Sequence, residues 1–186
     1  MREAILSAAA EGDSVGGILE TAVTGMPKGV GEPFFDSVES RLAHMLFSVP
    51  AVKGVEFGAG FALSEMRGSE ANDQMVAEDG VIRQLSNRMG GIYGGITSGA
   101  PLHFCTALKP TPSIFKPQKT VDLDEYTSAE LSLKGRHDPC IVQRAAPVID
   151  AVTALVLVDL LTEAYGEHYL SPPTKNWRLN SDGAII

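Results

Sequence analysis

The sequence predicts an α+β protein in which antiparallel strands pack against buried helices. Helix-like and strand-like segments follow one another in the order α, β, α, β, β, β, α, which favours this class. A long apolar run at residues 145–161 indicates a helix that is covered on nearly all sides. The chain has 186 residues, enough for one domain with its own hydrophobic core.

Composition predicts the first helix and the first strand. Residues 2–11 are rich in alanine and end at a glycine-containing turn, as expected for a helix. Residues 18–24 are rich in Ile, Val and Thr, which predicts a strand. The prolines and glycines of residues 27–33 then indicate a loop.

A second helix is predicted to begin at Asp36 and to end before Pro50. Asp36 can cap the first turn, and Glu39 three positions later completes the pattern of a capping box. Four apolar side chains then fall on one face of the helix: Val38, Leu42, Met45 and Leu46.

The middle of the chain is predicted to be mostly strand and loop. Residues 52–65 have strand character, and their glycines suggest bulges. Residues 67–87 are polar and lack a clear period, which predicts a long flexible loop of the kind that forms lids or binding elements. The glycines of residues 91–95 predict a tight bend, and residues 100–110 predict a strand that ends at Pro110.

The last third is predicted to contain one long helix. Residues 121–138 form a connecting segment with a short strand near Leu131. The long apolar helix spans residues 143–165, and the tail at residues 171–186 is expected to be irregular.

Charge and composition argue against several classes of protein. The net charge of −8 argues against nonspecific nucleic-acid binding, which needs a basic surface. Cys105 and Cys140 are far apart, and the four histidines are scattered, so we expect a reduced cytoplasmic protein without a metal site. Asp150 and Asp159 interrupt the apolar run, and the first residues lack the apolar core of a signal peptide; we therefore expect neither a membrane span nor export.

The glycine-rich stretch at residues 88–114 is a weak signal by itself. It matches neither the Rossmann fingerprint nor the P-loop pattern, and its glycines can be explained by bends and sheet packing alone. Its end is more informative, because Lys109, Thr111 and Ser113 supply an ammonium group and two hydroxyls on a segment that two prolines stiffen. Such a group can bind a phosphate dianion.

Two shorter motifs offer acidic side chains. In "KGRHDPC", Arg136 and Asp138 are two apart and share a face if the segment is extended, so the arginine can keep the carboxylate ionised and oriented; a surface ion pair is the alternative. His137 points to the other side, and its role stays open. In "EGDSVGG", Asp13 and Ser14 form either an active-site turn or a simple connection between helix and strand.

Taken together, four segments resemble the chorismate synthase family. They are "EGDSVGGILETAVTGMPKGVGEPFFDSVESRLAHMLFSVPAVKGVEFGAGF", "MRGSEAND", "GGIYGGITSGAPLHFCTALKPTPSI" and "GRHDPCIVQRAAPVIDAVTALVLVDLL", in the family's order. The last segment resembles the family's carboxy-terminal signature, with Asp150 where Glu is usual. Family members are about twice as long, and their amino-terminal GESHG-type motif, second histidine and substrate-binding arginines do not occur here. Residues 1–186 therefore resemble the C-terminal portion of such an enzyme.

The resemblance implies a fold, a reaction and a cofactor. The family fold is a β-α-β sandwich, in which long helices lie between antiparallel sheets, and the family enzyme is a homotetramer. It converts 5-enolpyruvylshikimate 3-phosphate to chorismate, in the shikimate pathway of aromatic amino acid biosynthesis, by a 1,4-anti elimination of phosphate. The reaction needs reduced FMN, and the resemblance leaves open whether the enzyme reduces its flavin with NADPH.

The resemblance also implies site residues. The family's FMN contacts correspond to Ala51, Gly94, Lys109, Pro110, Thr111, Pro112, Ser113 and Arg136, and its acid/base carboxylate near the flavin N5 corresponds to Asp138. Pro50 stands beside Ala51 where the family commonly has Asn, and Pro112 replaces a serine. We expect the chain alone to be inactive. The alternatives are a non-catalytic flavin- or phosphate-binding module and an assembly domain without a ligand.

Overall fold

The computed structural model describes residues 1–170, so the tail predicted at residues 171–186 lies outside the described part of the chain. These residues form four α-helices and nine strands, and the seven strands β3 to β9 follow one another between the last two helices. In chain order they are α1 (Arg2–Ala10), β1 (Gly17–Val23), α2 (Val38–Ser48), β2 (Val52–Phe57), α3 (Gly68–Ala71), β3 (Met75–Glu78), β4 (Val81–Gln84), β5 (Ile92–Tyr93), β6 (Ile96–Thr97), β7 (Leu102–Leu108), β8 (Gln118–Asp122), β9 (Thr127–Leu131) and α4 (Val142–Tyr165).

Strand β7 is the centre of a three-stranded antiparallel sheet with the order β1-β7-β2. Gly17 of β1 and Val52 of β2 both lie opposite Leu108, at the C-terminal end of β7. The register of β2 shifts between Val52 and Gly54, which confirms the predicted bulge. The strands predicted at residues 18–24 and 100–110 are also confirmed.

Helices α2 and α4 cover one face of this sheet. Along β7 the buried side chains alternate, because Leu102, Phe104, Thr106 and Leu108 point towards the helices. The apolar members of this row join a core formed with both helices, whose most buried side chains include Val38, Leu42, Leu46, Ile149 and Leu160. The predicted α+β class is confirmed; the described residues supply a three-stranded sheet with a helical layer, and three separate hairpins.

The start of α2 was predicted one residue too early. Ser37, not Asp36, is the N-cap, since its hydroxyl accepts a hydrogen bond from the amide of Ser40 at 3.1 Å. Asp36 instead ends a short 3₁₀ turn at Phe34–Asp36. Asp and Ser are both favoured N-cap residues, but Asp36 belongs to the 3₁₀ turn, and the cap of α2 is therefore Ser37.

Two predictions for the middle of the chain were wrong. Residues 67–87 contain α3 and the hairpin β3-β4 rather than a structureless loop, and Gly60–Glu65 forms a 3₁₀ helix rather than the end of a strand. The hairpin turn at Asp79 and Gly80 has φ values of +50° and +76°. An Asp-Gly pair favours such a two-residue turn, and the polar composition obscured this local signal.

Two further hairpins flank β7 in sequence. Gly94 and Gly95 form the turn between β5 and β6, with φ values of +58° and +89°, which confirms the predicted tight bend. The strand predicted near Leu131 is β9, and its partner β8 was not anticipated.

Helix α4 is confirmed in extent, but residues 1–170 do not cover it on all sides. Val148, Leu155 and Val158 are 44%, 62% and 48% exposed on the face opposite the core. By length and composition alone α4 is one helix that is apolar enough to cross a membrane. It packs against α2 and β1, and Arg41 of α2 pairs with Asp159 on α4, so it is a helix of this core.

Candidate flavin site

The segment that follows β7 lies beside Ala51. The amide of Lys109 donates to the carbonyl of Ala51 at 2.9 Å, because β2 and β7 are paired at this end of the sheet. Ala51 has a φ of +75°, in the left-handed region that non-glycine residues rarely adopt. The structure therefore brings Ala51 and residues 109–113 together, although they are far apart in sequence.

The side chains of this segment are available for an anion. Lys109 is exposed and forms no ion pair with a carboxylate among residues 1–170. The hydroxyl of Thr111 is inaccessible to solvent and lacks a hydrogen-bond partner within the same residues, and Ser113 is half-buried. An exposed, unpaired ammonium on a segment that also carries hydroxyls suits a phosphate group.

The motif "RHDPC" reaches the same region by way of a turn near the N-terminus. The amide of Val15 donates to the carbonyl of Pro139 at 2.8 Å. The ring of His137 packs on Phe115 with centroids 5.1 Å apart, and its Nε2 is buried without a hydrogen-bond partner in the described chain. A cavity of about 50 Å³ lies where these segments meet, and Asp13, Ser113 and Asp138 contribute to its walls.

The expected pairing of Asp138 with Arg136 is not found. Arg144, in the first turn of α4, pairs with the Asp138 carboxylate instead. Arg136 is exposed, and within residues 1–170 its side chain makes no ion pair. Arg144 lies six residues after Asp138, in the first turn of α4, so the two-residue spacing of Arg136 and Asp138 did not select the partner.

Gly94 lies away from the other predicted contacts. Its neighbour Gly95 accepts a hydrogen bond from the amide of Val38, at the N-terminus of α2, whereas Ala51 follows the C-terminus of that helix. Since α2 has 11 residues, the two ends are about 16 Å apart at 1.5 Å per residue. A built Cβ at Gly94 meets nothing within 4 Å, so the turn is open to solvent.

Asp73 binds the segment at residues 86–93, which leads into the β5-β6 hairpin. Its carboxylate accepts hydrogen bonds from the Ser86 hydroxyl, the amides of Arg88 and Met89, and the Tyr93 hydroxyl at 2.6–3.0 Å. Burial alone would raise the pKa of Asp73, but these bonds outweigh it and lower the pKa to about 2. Burial and the bond to Asp73 raise the pKa of Tyr93 to about 12. Composition gave no signal for this cluster.

A wide cleft lies elsewhere, between α2 and α4. It has a volume of about 790 Å³, and Arg41 and His44 lie on one wall and Leu155 on the other. Arg41 is already paired with Asp159 and Glu163, and the bond to Glu163 raises its pKa. Because carboxylates neutralise its arginine, the cleft is not suited to a phosphate.

The family model described as chorismate synthase matches residues 1–162. The chain belongs to the chorismate synthase family. The resemblance stated above is thereby confirmed at the level of the family.

Relatives and a solved structure agree with this assignment. A chorismate synthase of Dehalococcoides mccartyi is 52% identical over 160 residues, which cover 86% of this chain and 44% of the relative. One of Archaeoglobus fulgidus is 53% identical over 151 residues, or 81% of this chain and 42% of the relative. A crystal structure of chorismate synthase superposes with a TM-score of 0.71 at 29% identity and covers 89% of this chain and 42% of that one. The chain thus spans less than half the length of these members.

In this member of the chorismate synthase family, the structure brings two residues to the candidate site that were not predicted there from the sequence: Arg144 and Ser14. Arg144 lies just beyond the quoted motif, and only its charge in the first helical turn could have drawn attention to it. The sequence marks Ser14 as part of a turn, but its hydrogen-bond partner could not be predicted, because it is the carbonyl of Thr111, 97 residues away. No group of three metal-ligating side chains comes together within residues 1–170.

Proposed function

We propose that this chain forms one wall of the flavin site of a chorismate synthase. The reaction would be the 1,4-anti elimination of phosphate from 5-enolpyruvylshikimate 3-phosphate, which also removes a proton and yields chorismate. The observation that carries the proposal is Lys109, which is exposed and makes no ion pair within residues 1–170, and whose amide donates to the carbonyl of Ala51. Thr111 and Ser113 follow it two and four residues along the chain. Family membership supplies the reaction, and this geometry supports where the flavin phosphate binds.

The residues of this chain would bind and orient the cofactor. Lys109 neutralises the FMN phosphate, while Thr111 and Ser113 donate hydrogen bonds to it, on a backbone restrained by Pro110 and Pro112. Arg136 is exposed and can turn towards the ring system. When bound, reduced FMN supplies electron density to the departing phosphate.

Asp138 would hold or move a proton next to the flavin. Its pairing with Arg144 orients the carboxylate, as a base requires. Gly94 is the weakest member of the set, since it lies at the other end of α2. A ligand that contacts both Gly94 and Lys109 must extend along that helix.

Several further properties are part of the proposal. We expect the parent enzyme to be a cytoplasmic homotetramer and this chain alone to be inactive, because the family's histidines and substrate-binding arginines are not in its sequence. A non-catalytic flavin- or phosphate-binding module is the alternative, and the same free Lys109 would serve it. An assembly domain without a ligand would leave Lys109 without a function.

The test is titration of FMN with the 186-residue chain, followed by fluorescence quenching. Lys109→Gln should weaken binding at least about tenfold, since a hydrogen bond to a charged group contributes about 1.5–3 kcal/mol. Lys119→Gln, on exposed strand β8, is the matched control and should leave affinity unchanged. Absence of quenching by the folded wild-type chain would favour the assembly domain. Chorismate production by the chain alone would contradict the predicted inactivity.

A further inference from the structure

The turn between α1 and β1 contacts both segments of the candidate flavin site. The hydroxyl of Ser14 donates to the carbonyl of Thr111 at 2.6 Å. One residue later the amide of Val15 donates to the carbonyl of Pro139 at 2.8 Å. The turn therefore joins the segment that follows β7 to the motif that precedes α4.

The same turn also holds the far end of the first segment. The amide of Phe115 donates to the carbonyl of Gly12 at 2.9 Å. Lys116 pairs with Asp13 at 2.7 Å, and this hydrogen bond lowers the pKa of Asp13. Asp13 is itself oriented, because its second oxygen accepts the amide of Ser14 at 2.8 Å.

At Gly16 the turn approaches residues 108–110 so closely that a side chain is excluded there, and at Gly12 it makes a tight contact with Phe115. A Cβ built on Gly16 would lie 2.3 Å from the carbonyl oxygen of Leu108 and 3.0 Å from the nitrogen of Pro110. A Cβ built on Gly12, whose φ is +69°, would lie 3.2 Å from that of Phe115. Residues 109–116 are thus held at their start, middle and end by one five-residue turn.

We propose that Ser14 and Asp13 are positioning residues that hold residues 109–116 in the conformation that receives a phosphate group. Neither side chain would touch the ligand. Ser14 fixes the peptide of Thr111, and Asp13 fixes Lys116, which leaves Lys109 as the cation that remains free. The identity of the ligand rests on the proposed function, whereas the restraint itself rests on the contacts described here.

The experiment compares Ser14→Ala with Ser64→Ala in the full chain. Ser64 is a matched control, because its hydroxyl also donates to a backbone carbonyl, that of Phe61, at 2.7 Å, but in a different part of the molecule. Hydrogen exchange of the Phe115 amide reports the restraint, and FMN titration reports its consequence. Ser14→Ala should raise exchange at Phe115 roughly fivefold, as expected for the loss of one hydrogen bond, and should weaken FMN binding by a similar factor.

Two further variants separate positioning from general destabilisation. Ser14→Thr keeps the hydroxyl, so the exchange rate at Phe115 and the FMN affinity should both stay near those of the wild type. Asp13→Asn keeps the shape of the side chain but removes the charge that pairs with Lys116, and it should also raise exchange at Phe115. It provides the test if Ser14→Ala fails to fold.

Each outcome decides a different statement. Unchanged exchange at Phe115 in Ser14→Ala, or a change equal to that in Ser64→Ala, overturns the positioning role. Raised exchange with unchanged FMN affinity also overturns it, because the restraint would then serve the fold alone. If the wild-type chain does not bind FMN, the proposed function fails, while raised exchange at Phe115 would still support the restraint.

Discussion

The carboxylate of Asp138 is paired with Arg144 in the first turn of α4, and not with Arg136, two residues away. Arg136 is therefore free to contact a ligand, whereas Arg144 acts on Asp138. The two arginines should consequently respond differently to substitution.

Arg136→Gln should weaken FMN binding about tenfold, because a charged hydrogen bond to the ligand is lost. Arg144→Gln should act only through Asp138, so that its effect disappears in a background that already carries Asp138→Asn. FMN titrations of the single and double variants measure this coupling. Additive effects of Arg144→Gln and Asp138→Asn would contradict it. Since the pair is largely exposed, none of these variants should change the free energy of unfolding by more than about 1 kcal/mol.

Asp73→Asn should lower the free energy of unfolding by about 2 kcal/mol at neutral pH, given the fall of the Asp73 pKa from 3.8 to about 2. The folded state binds this proton more weakly than the unfolded state, so the contribution is present above pH 4 and is lost as the pH falls from 3.8 towards 2. Urea unfolding at several pH values should therefore show the wild type and the variant converging in acid.

Asp79→Asn is the matched control for Asp73→Asn. Asp79 is an exposed residue in the β3-β4 turn, and its φ of +50° is one that Asn adopts readily. Asp79→Asn should leave the free energy of unfolding within about 0.5 kcal/mol of the wild-type value. An equal loss in both variants would show that the Asp73 hydrogen bonds are not the cause.

Gly16→Ala should destabilise the chain by about 1–3 kcal/mol, because the new methyl group would lie 2.3 Å from the backbone oxygen of Leu108. Gly68→Ala provides the comparison, since a Cβ at that position meets nothing within 4 Å. This control should be neutral or slightly stabilising. Thermal unfolding measures both variants, and a stable Gly16→Ala protein would mean that β1 and residues 108–110 can separate without cost.

The exposed face of α4 should make the chain self-associate. Leu155 is 62% exposed in a row with Val148 and Val158, and helices of this kind are normally covered. Leu155→Glu should shift sedimentation towards the monomer. Leu123→Glu is the matched control, because Leu123 is 77% exposed but belongs to the β8-β9 hairpin. If Leu155→Glu sediments like the wild type, association does not use this face.

Strong local signals explain which elements could be predicted. Helices α2 and α4 and strands β1 and β7 carry apolar side chains at regular spacing, and each was predicted to within a few residues. The hairpin β3-β4 was missed because its side chains are mostly exposed, so that no buried face imposes a pattern on them. The Asp-Gly turn was the only local signal that could have revealed it.

The sequence by itself determined the α+β class, the family and the chemistry of residues 109–113, because these depend on residue types and their local order. Only the tertiary structure decided which segments meet. Strand pairing placed Ala51 at Lys109, the α1-β1 turn placed Ser14 at Thr111, and the start of α4 placed Arg144 at Asp138. The first two of these contacts join residues that are far apart along the chain, and local composition carries no record of such partners.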